Sequence, residues 1–447
     1  MENRLNSIEY ITNSIIELEK KYQLLEWEIN GIFVWQTVRV QIYIKIKETI
    51  SNGDQKSLKS LKSRWIVLLK TFYERIIKNS IFYNPFIGIK NKDILVFESP
   101  RKYLVNTEYI DKYTKYFCDE LDDKGISYQK YQSSYLFDSL SNNRKGTKHL
   151  DFIRLIALIR IRFSSCKIDS ANLKRIKLIE LEIFQIFSLK IDLLNILEDT
   201  IKEFKALYPL YNKLFKEIRP REIYIVNSCD KSALISAAKD NGIIVNELQH
   251  GLIAKEGFIQ HFPYTIENSL AYFPNRFYLW DNMLMCSSKL PISADNIIYF
   301  EDKYLTSVKD KYEKIEKEKN KILIVSQPQH TNELFQFVLR NLPNMKDYKF
   351  IFKLHPTEEL NFENDNKINQ IEKYNNFKFA NKQSSIDKLY STSYYVLGVY
   401  SAALFEASYL GCQILLLNLP GIEQASSLIE KKNARLIETT DDLLNFL

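Results

Sequence analysis

At 447 residues the chain is too long for one ordinary core, so two domains are the starting expectation. Hydrophobic residues make up 45% and charged residues 26%, with only 11 glycines and 11 prolines, which excludes a disordered or low-complexity chain. The net charge of +7 suits an anionic partner such as a nucleotide or a negatively charged membrane, and no nucleic-acid-binding module accompanies it.

Met1 to Arg4 lead into an amphipathic helix and not into an apolar leader, and residues 1–80 read as helices. Within them, Lys56, Lys59, Lys62, Arg64, Lys70, Arg75 and Lys78 are interleaved with Leu58, Leu61, Trp65, Leu68, Leu69, Phe72 and Ile76. That pattern fits a helix lying in a membrane interface, and equally a solvated helix that packs its apolar stripe on its own domain. A strand is predicted at Asp93–Phe97, ending at Glu98-Ser99-Pro100, then a helix over Tyr109–Leu121 and a weaker strand near Tyr128. Residues 150–216 read as helix, with the first proline at Pro209. A strand at Ile223–Val226, a helix at Lys231–Asp240 and a strand at Ile243–Asn246 follow, the last leading into Gln249-His250-Gly251. The aromatic and proline-rich stretch from Gly257 to Pro291 reads as a junction. Beyond it the pattern predicts a charged helix (Tyr304–Lys319), a strand (Lys321–Ser326), a helix (Thr331–Leu342) and a strand ending at Leu354. A short helix near Ile368, a strand at Tyr394–Leu397, a helix opening at Ser401 and a strand at Gln413–Leu417 complete the alternation.

Strands that alternate with helices predict parallel sheets. The expected fold is α/β, with a helical N-terminal region (1–90), an acceptor-side lobe (91–270) and a nucleotide-donor lobe (271–447) facing each other across a cleft. Five scattered cysteines without a Cys-x-x-Cys pair read as reduced thiols of a cytoplasmic protein.

The chemistry-bearing residues fall at strand ends, where open α/β sheets bind ligands. Lys353-Leu354-His355-Pro356 ends one strand: Pro356 forces a turn and leaves the His355 imidazole at the sheet edge, able to donate to a phosphate oxygen. Ser401 opens a helix whose first N–H groups, with those of Tyr400 and Ala402, favour an anion; the plainer role of Ser401 is a helix cap. Glu406, a turn further on, suits the hydroxyls of a ribose. In the first lobe His250 is the candidate general base, its imidazole titrating near working pH and Gly251 allowing a sharp turn. Asp230 is the rival base and Glu98 a weaker third, while Asn227 and Ser228 suit a sugar. There is no Gly-x-Gly-x-x-Gly after a strand, no Walker lysine loop, no Asp-x-Asp for a metal-bound diphosphate and no zinc spacing, so neither cofactor nor metal is expected.

Together, Gln249-His250-Gly251, Lys353-Leu354-His355-Pro356 and Tyr400-Ser401-Ala402-Ala403-Leu404-Phe405-Glu406 resemble motifs of the bacterial surface-polysaccharide glycosyltransferases of GT-B type. The similar groups are the polysialyltransferases, the capsule β-Kdo transferases and the CDP-glycerol glycerophosphotransferases. The likeness covers about residues 220–420; Ala402 stands where many relatives have a second serine. It implies two Rossmann-like lobes and a nucleotide-activated donor, often CMP- or CDP-linked, held without metal by Lys353, His355 and Ser401. It also implies a glycan or lipid-linked acceptor of capsule or lipopolysaccharide type. Polyol-phosphate transfer and a non-catalytic, membrane-associated assembly role remain the alternatives.

Overall fold

The computed structural model describes residues 8–52, 78–88, 91–100, 102–105, 108–133, 146–253, 257–263, 270–280, 290–355, 358, 371, 373–380, 384–438 and 440–447. Of the expected basic helix only Lys78 falls within these residues, and Pro356 and the expected helix near Ile368 lie outside them.

The N-terminal region is built on α1 (Ile8–Lys21) and α2 (Val34–Asn52). Ile8, Ile11, Ile15, Ile16 and Leu18 recur at helical spacing and are buried. A buried ion pair locks the two helices: Glu19 accepts from Arg39 Nε at 2.8 Å and from Trp35 Nε1 at 2.8 Å. Arg39 also donates to the carbonyls of Phe258, Ile259 and His261, so its fork is filled and the buried charge is satisfied.

The first lobe is a seven-stranded parallel sheet of β1 (Ile94–Phe97), β2 (Tyr128–Gln132), β3 (Thr147–His149), β4 (Glu222–Val226), β5 (Ile244–Leu248), β6 (Arg276–Trp280) and β7 (Ile297–Phe300). Its helices are α3 (Lys115–Asp123), α4 (Asp151–Arg162), α5 (Ser170–Phe187), α6 (Leu193–Ile218) and α7 (Ser232–Asp240). The 26-residue α6 begins where Asp192 accepts from Asn195 N–H, and it buries Leu193, Leu197, Ile201, Leu210, Leu214 and Ile218. It ends at Arg219 in the left-handed region, just before Pro220.

The second lobe is a six-stranded parallel sheet of β8 (Glu318–Val325), β9 (Lys349–Lys353), β10 (Phe377–Phe379), β11 (Ser393–Gly398), β12 (Gln413–Leu417) and β13 (Ala434–Ile437). Its helices include α8 (Lys303–Tyr312), α9 (Thr331–Asn341), α10 (Ile386–Thr392) and α11 (Ala402–Tyr409). The strand orders are β7-β6-β5-β4-β1-β2-β3 and β10-β9-β8-β11-β12-β13. Numbered within its own lobe, each sheet runs 3-2-1-4-5-6, the Rossmann order, with a seventh strand added in the first. The protein is therefore α/β, with two Rossmann-like lobes and a helical N-terminal region, as the GT-B architecture requires. The order reverses between β1 and β4 in the first lobe and between β8 and β11 in the second, and each reversal opens a crevice at the carboxyl edge.

Several elements differ from expectation. The first sheet runs on to Phe300, so the change of sheet falls between Phe300 and Glu318 and not at residue 270. Arg276–Trp280, expected as junction, is a strand paired with β5 and β7; its aromatic residues Phe277, Tyr278 and Trp280 suit a strand, and the nearby Pro274 masked that signal. Tyr109–Leu121 is helical only from Lys115; Glu108–Ile110 pairs antiparallel with Tyr103–Val105. The strand at Thr147–His149 was not expected, because one short polar triplet has no readable period.

Candidate functional site

Glycine packs the second lobe's crevice tightly. A Cβ on Gly398, at the end of β11, would meet the side chains of Leu404 and Val325 at 3.0 Å, so the bare backbone lets α11 seat against β8. Gly421, on the turn after β12, has φ +95°, and a Cβ there would lie 2.4 Å from the Tyr400 ring. Gly251 differs: its φ is not left-handed and a Cβ there would stand in open space, so the backbone does not require glycine in the Gln-His-Gly turn.

Ser401 caps α11, accepting from Ala403 N–H at 3.3 Å. Tyr400 N–H donates to Gln327 Oε1 at 3.3 Å, a bond that spans the crevice between the ends of β8 and β11. The Tyr400 ring meets His330 edge-on at 5.6 Å and carries the Lys47 ammonium of α2 at 5.7 Å. His330, just before α9, is a histidine that strand-end reasoning overlooked; burial holds its pKa below the ordinary value, so it is neutral at neutral pH. The strands place Lys353 opposite Val325, and Leu397 opposite Ile324. His355 and Ser401 therefore leave the same edge on either side of β8, two strand spacings or about 10 Å apart. The His355 backbone N–H donates to Glu358 at 2.9 Å, and Glu358 also accepts from the hydroxyls of Ser326 and Thr331. The edge thus already holds one carboxylate among three donors. Glu423 Oε1 and Gln424 Nε2, on the Gly421 turn, are buried without a hydrogen-bond partner. The signal for them was the Pro420-Gly421 turn at a strand end, which the sequence reading passed over.

At the first lobe's edge the expected bases separate. Glu98 accepts from Lys102 Nζ at 2.6 Å, both side chains being buried. Asp230 is exposed; desolvation pushes its pKa up, but the Lys231 ammonium at 2.6 Å outweighs that and holds the carboxyl below its usual value. A carboxylate held low in this way is a poor proton acceptor at neutral pH. Asn227, at φ 66°, shapes its loop by accepting from Cys229 N–H, and Ser228 hydrogen-bonds to Glu247. Gln249 is buried and braces its turn, accepting from Trp280 N–H at 2.8 Å and donating to Gly251 O at 2.8 Å.

His250 follows on this brace. Its ring meets Tyr113 edge-on at 6.3 Å, and Tyr113 in turn stacks on Trp280 at 6.0 Å. Tyr113, Trp280 and Leu252 all pack into the second lobe's core, so the Gln-His-Gly turn lies at the contact between lobes. Glu247, three residues earlier, was missed because a single acid inside a strand pattern carries no local signal. It is 1% exposed, burial raises its carboxyl to about 7, and its Oε2 has no hydrogen-bond partner.

Glu406, expected to meet a ribose, accepts here from Lys112 Nζ of the first lobe at 2.6 Å, both side chains being about nine-tenths buried. Around this pair lie Asp302, raised to about 6 by burial, and Asp387, also raised by burial, which accepts from Tyr304 at 2.6 Å. The pair ties α11 to the first lobe. Beyond the Tyr113–Trp280 wall opens a cavity of about 440 Å³, lined by Tyr116, Tyr224, Tyr278 and Phe300 among others. Among the described residues no group of three His, Cys, Asp or Glu side chains could hold a metal ion, and no helix is long and apolar enough to cross a membrane.

No family model matches the chain, and no curated protein does. Among solved structures it is similar to the UDP-GlcNAc 2-epimerase of Methanocaldococcus jannaschii, at 11% identity and TM-score 0.48 over 79% of this chain and 90% of that one. It is similar to the glycotransferase of kitacinnamycin, at 9% identity and TM-score 0.48 over 80% and 89%. It is also similar to MurG of Acinetobacter baumannii, at 10% identity and TM-score 0.43 over 79% and 89%.

Proposed function

We propose that the protein is a metal-independent glycosyltransferase that moves a sugar from a nucleotide-activated donor, CMP-linked by preference, to a growing surface glycan of capsule or lipopolysaccharide type. The observation that carries this reading is the meeting of the two lobes. The turn bearing His250 packs, through Tyr113 and Leu252, against the lobe whose carboxyl edge presents His355, Tyr400 and the start of α11. In this reading His250 takes the proton of an acceptor hydroxyl, which attacks the anomeric carbon from the face opposite the nucleotide. The leaving phosphate moves toward His355, Lys353 and the N–H groups of Ala402 and its neighbours, the donors proposed to meet the charge that develops. Ser401 orients that helix start, and Glu423 and Gln424, with their unpartnered polar atoms, meet the donor sugar. The aromatic cavity beside Tyr113 holds the acceptor, flat rings being suited to sugar faces.

The test is a panel of CMP-, CDP- and UDP-linked donors with purified protein, wild type and His355→Ala. The reading expects sugar transfer that falls about 100-fold or more in the variant. Unchanged turnover by the variant would refute the donor role of His355. Transfer of a polyol phosphate in place of a sugar would move the protein to the CDP-glycerol class, and no binding to any nucleotide would leave the assembly role.

A further inference from the structure

The N-terminal helices pack with the first lobe and yet reach the second. Trp35, Val38, Ile42 and Ile46 of α2 share a core with Phe258, Phe273 and Phe277, and the Tyr43 ring stacks on Phe258 at 4.8 Å. Ile8, at the start of α1, instead joins the core of the second lobe, and a Cβ on Gly421 would lie 2.8 Å from its Cδ1. One turn beyond Tyr43, on the same face of α2, stands Lys47. Its ammonium lies 5.7 Å from the centre of the Tyr400 ring.

Lys47 differs from Lys45 on the same helix. Lys45 is exposed, whereas Lys47 is half-buried, and burial lowers its pKa because the ammonium has lost part of its water. Glu423 attracts it from a distance, but among the described residues no carboxylate forms a direct ion pair with it. Its charge also acts on His330, at the start of α9. A cation that is partly dehydrated and not directly paired suits an incoming anion. The residues around it suit a ligand too: Glu423 Oε1 and Gln424 Nε2 are buried without a hydrogen-bond partner. Tyr400 leads directly into Ser401 and α11, so the ammonium stands beside the helix start whose N–H groups favour an anion. We propose that Lys47 is a donor-binding residue, reaching over Tyr400 to an anionic oxygen of the activated donor, on its phosphate or on an acidic sugar. The inference rests on the transfer reading and adds to it a contact from outside the second lobe. Because α2 is anchored in the first lobe's core, a donor held by Lys47 is held by both lobes at once.

The test is calorimetric titration of the full chain with CMP, CDP, a UDP-linked neutral sugar and a CMP-linked acidic sugar. Wild type is compared with Lys47→Met, Lys47→Arg and Lys45→Met. Lys47→Met is expected to weaken binding about tenfold or more, the effect of losing a hydrogen bond to a charged group. Lys47→Arg should stay within a few-fold of wild type and Lys45→Met should match it, all with the wild-type circular dichroism. A loss already present with CDP assigns the phosphate as the partner; a loss confined to the acidic sugar assigns its carboxylate. Either result supports the proposal. Equal affinity of Lys47→Met and wild type overturns it and leaves the transfer reading standing, whereas a wild type that binds none of the four overturns both. Recovery of affinity when Glu423→Gln is added to Lys47→Met also overturns it, because the lysine then only balances that carboxylate.

Discussion

The carboxyl edges of the two lobes share a strand order but not a chemistry. In the first lobe the edge is rich in acids, each in a different condition: Glu98 is paired with Lys102, Asp230 is held ionised by Lys231, and Glu247 is buried and raised to about 7. In the second lobe the edge is made of hydroxyls, imidazoles, an amide and the start of α11, and the acid nearest His355, Glu358, is already bound by three donors. In the proposed reading the first edge, through His250, accepts a proton and the second holds an anion. The same topology supports both because the strand order fixes only where the crevice lies, while burial and ion pairing set what each crevice can do.

The sharpest way to break this comparison is within the first lobe. His250→Ala is expected to lower kcat/KM by about 100- to 10,000-fold and Asp230→Asn by no more than a few-fold. A reversed order in steady-state assays would give the proton to the ion-paired acid and undo the contrast. Next comes the link between lobes. Lys112→Met leaves Glu406 buried beside Asp302 and Asp387, and chemical denaturation should show a loss of about 3–5 kcal/mol. Adding Glu406→Gln should restore part of that loss, and no recovery would mean the pair is not the tie between lobes. Gly421→Ala forces a side chain into the Tyr400 ring at a left-handed φ; about 1–3 kcal/mol should be lost, whereas Gly251→Ala should melt within a degree or two of wild type.

The last prediction is a pH dependence. The raised carboxyl of Glu247 is protonated in the folded protein at pH values where the unfolded chain has lost that proton. Its stabilising contribution is complete below about pH 4.5 and is lost as pH rises through about 7. Melting curves across this range should fall for wild type and fall less steeply for Glu247→Gln. Parallel curves would show that Glu247 does not titrate in that window.

Much of the second lobe was legible in the chain. The strands before His355 and Tyr400 are apolar runs stopped by Pro356 and Gly398, and both candidate groups leave the edge that parallel alternation requires. The first lobe was less so. Arg276–Trp280 has the aromatic residues of a strand but sits in a proline-rich stretch that reads as a junction, and Thr147–His149 is too short for its period to be counted; pairing with their neighbours in the sheet decides both. The aromatic stretch taken for a junction holds core residues and an inner strand instead, since Arg276–Trp280 is paired on both sides and Phe258, Phe273 and Phe277 pack with the N-terminal helices.

What the amino-acid order determined alone was local: which runs are extended or helical, where they stop, and that histidines and a serine stand at the stops. Those properties follow from backbone restriction and side-chain period over a few residues. What only the tertiary structure decided was partnership. Lys112 finds Glu406 across 294 positions, and Glu247 becomes a carboxyl poised near neutrality because the fold removes it from water. A side chain's charge state depends on the dielectric and the neighbours around it, and neither is written in the residues beside it in the chain.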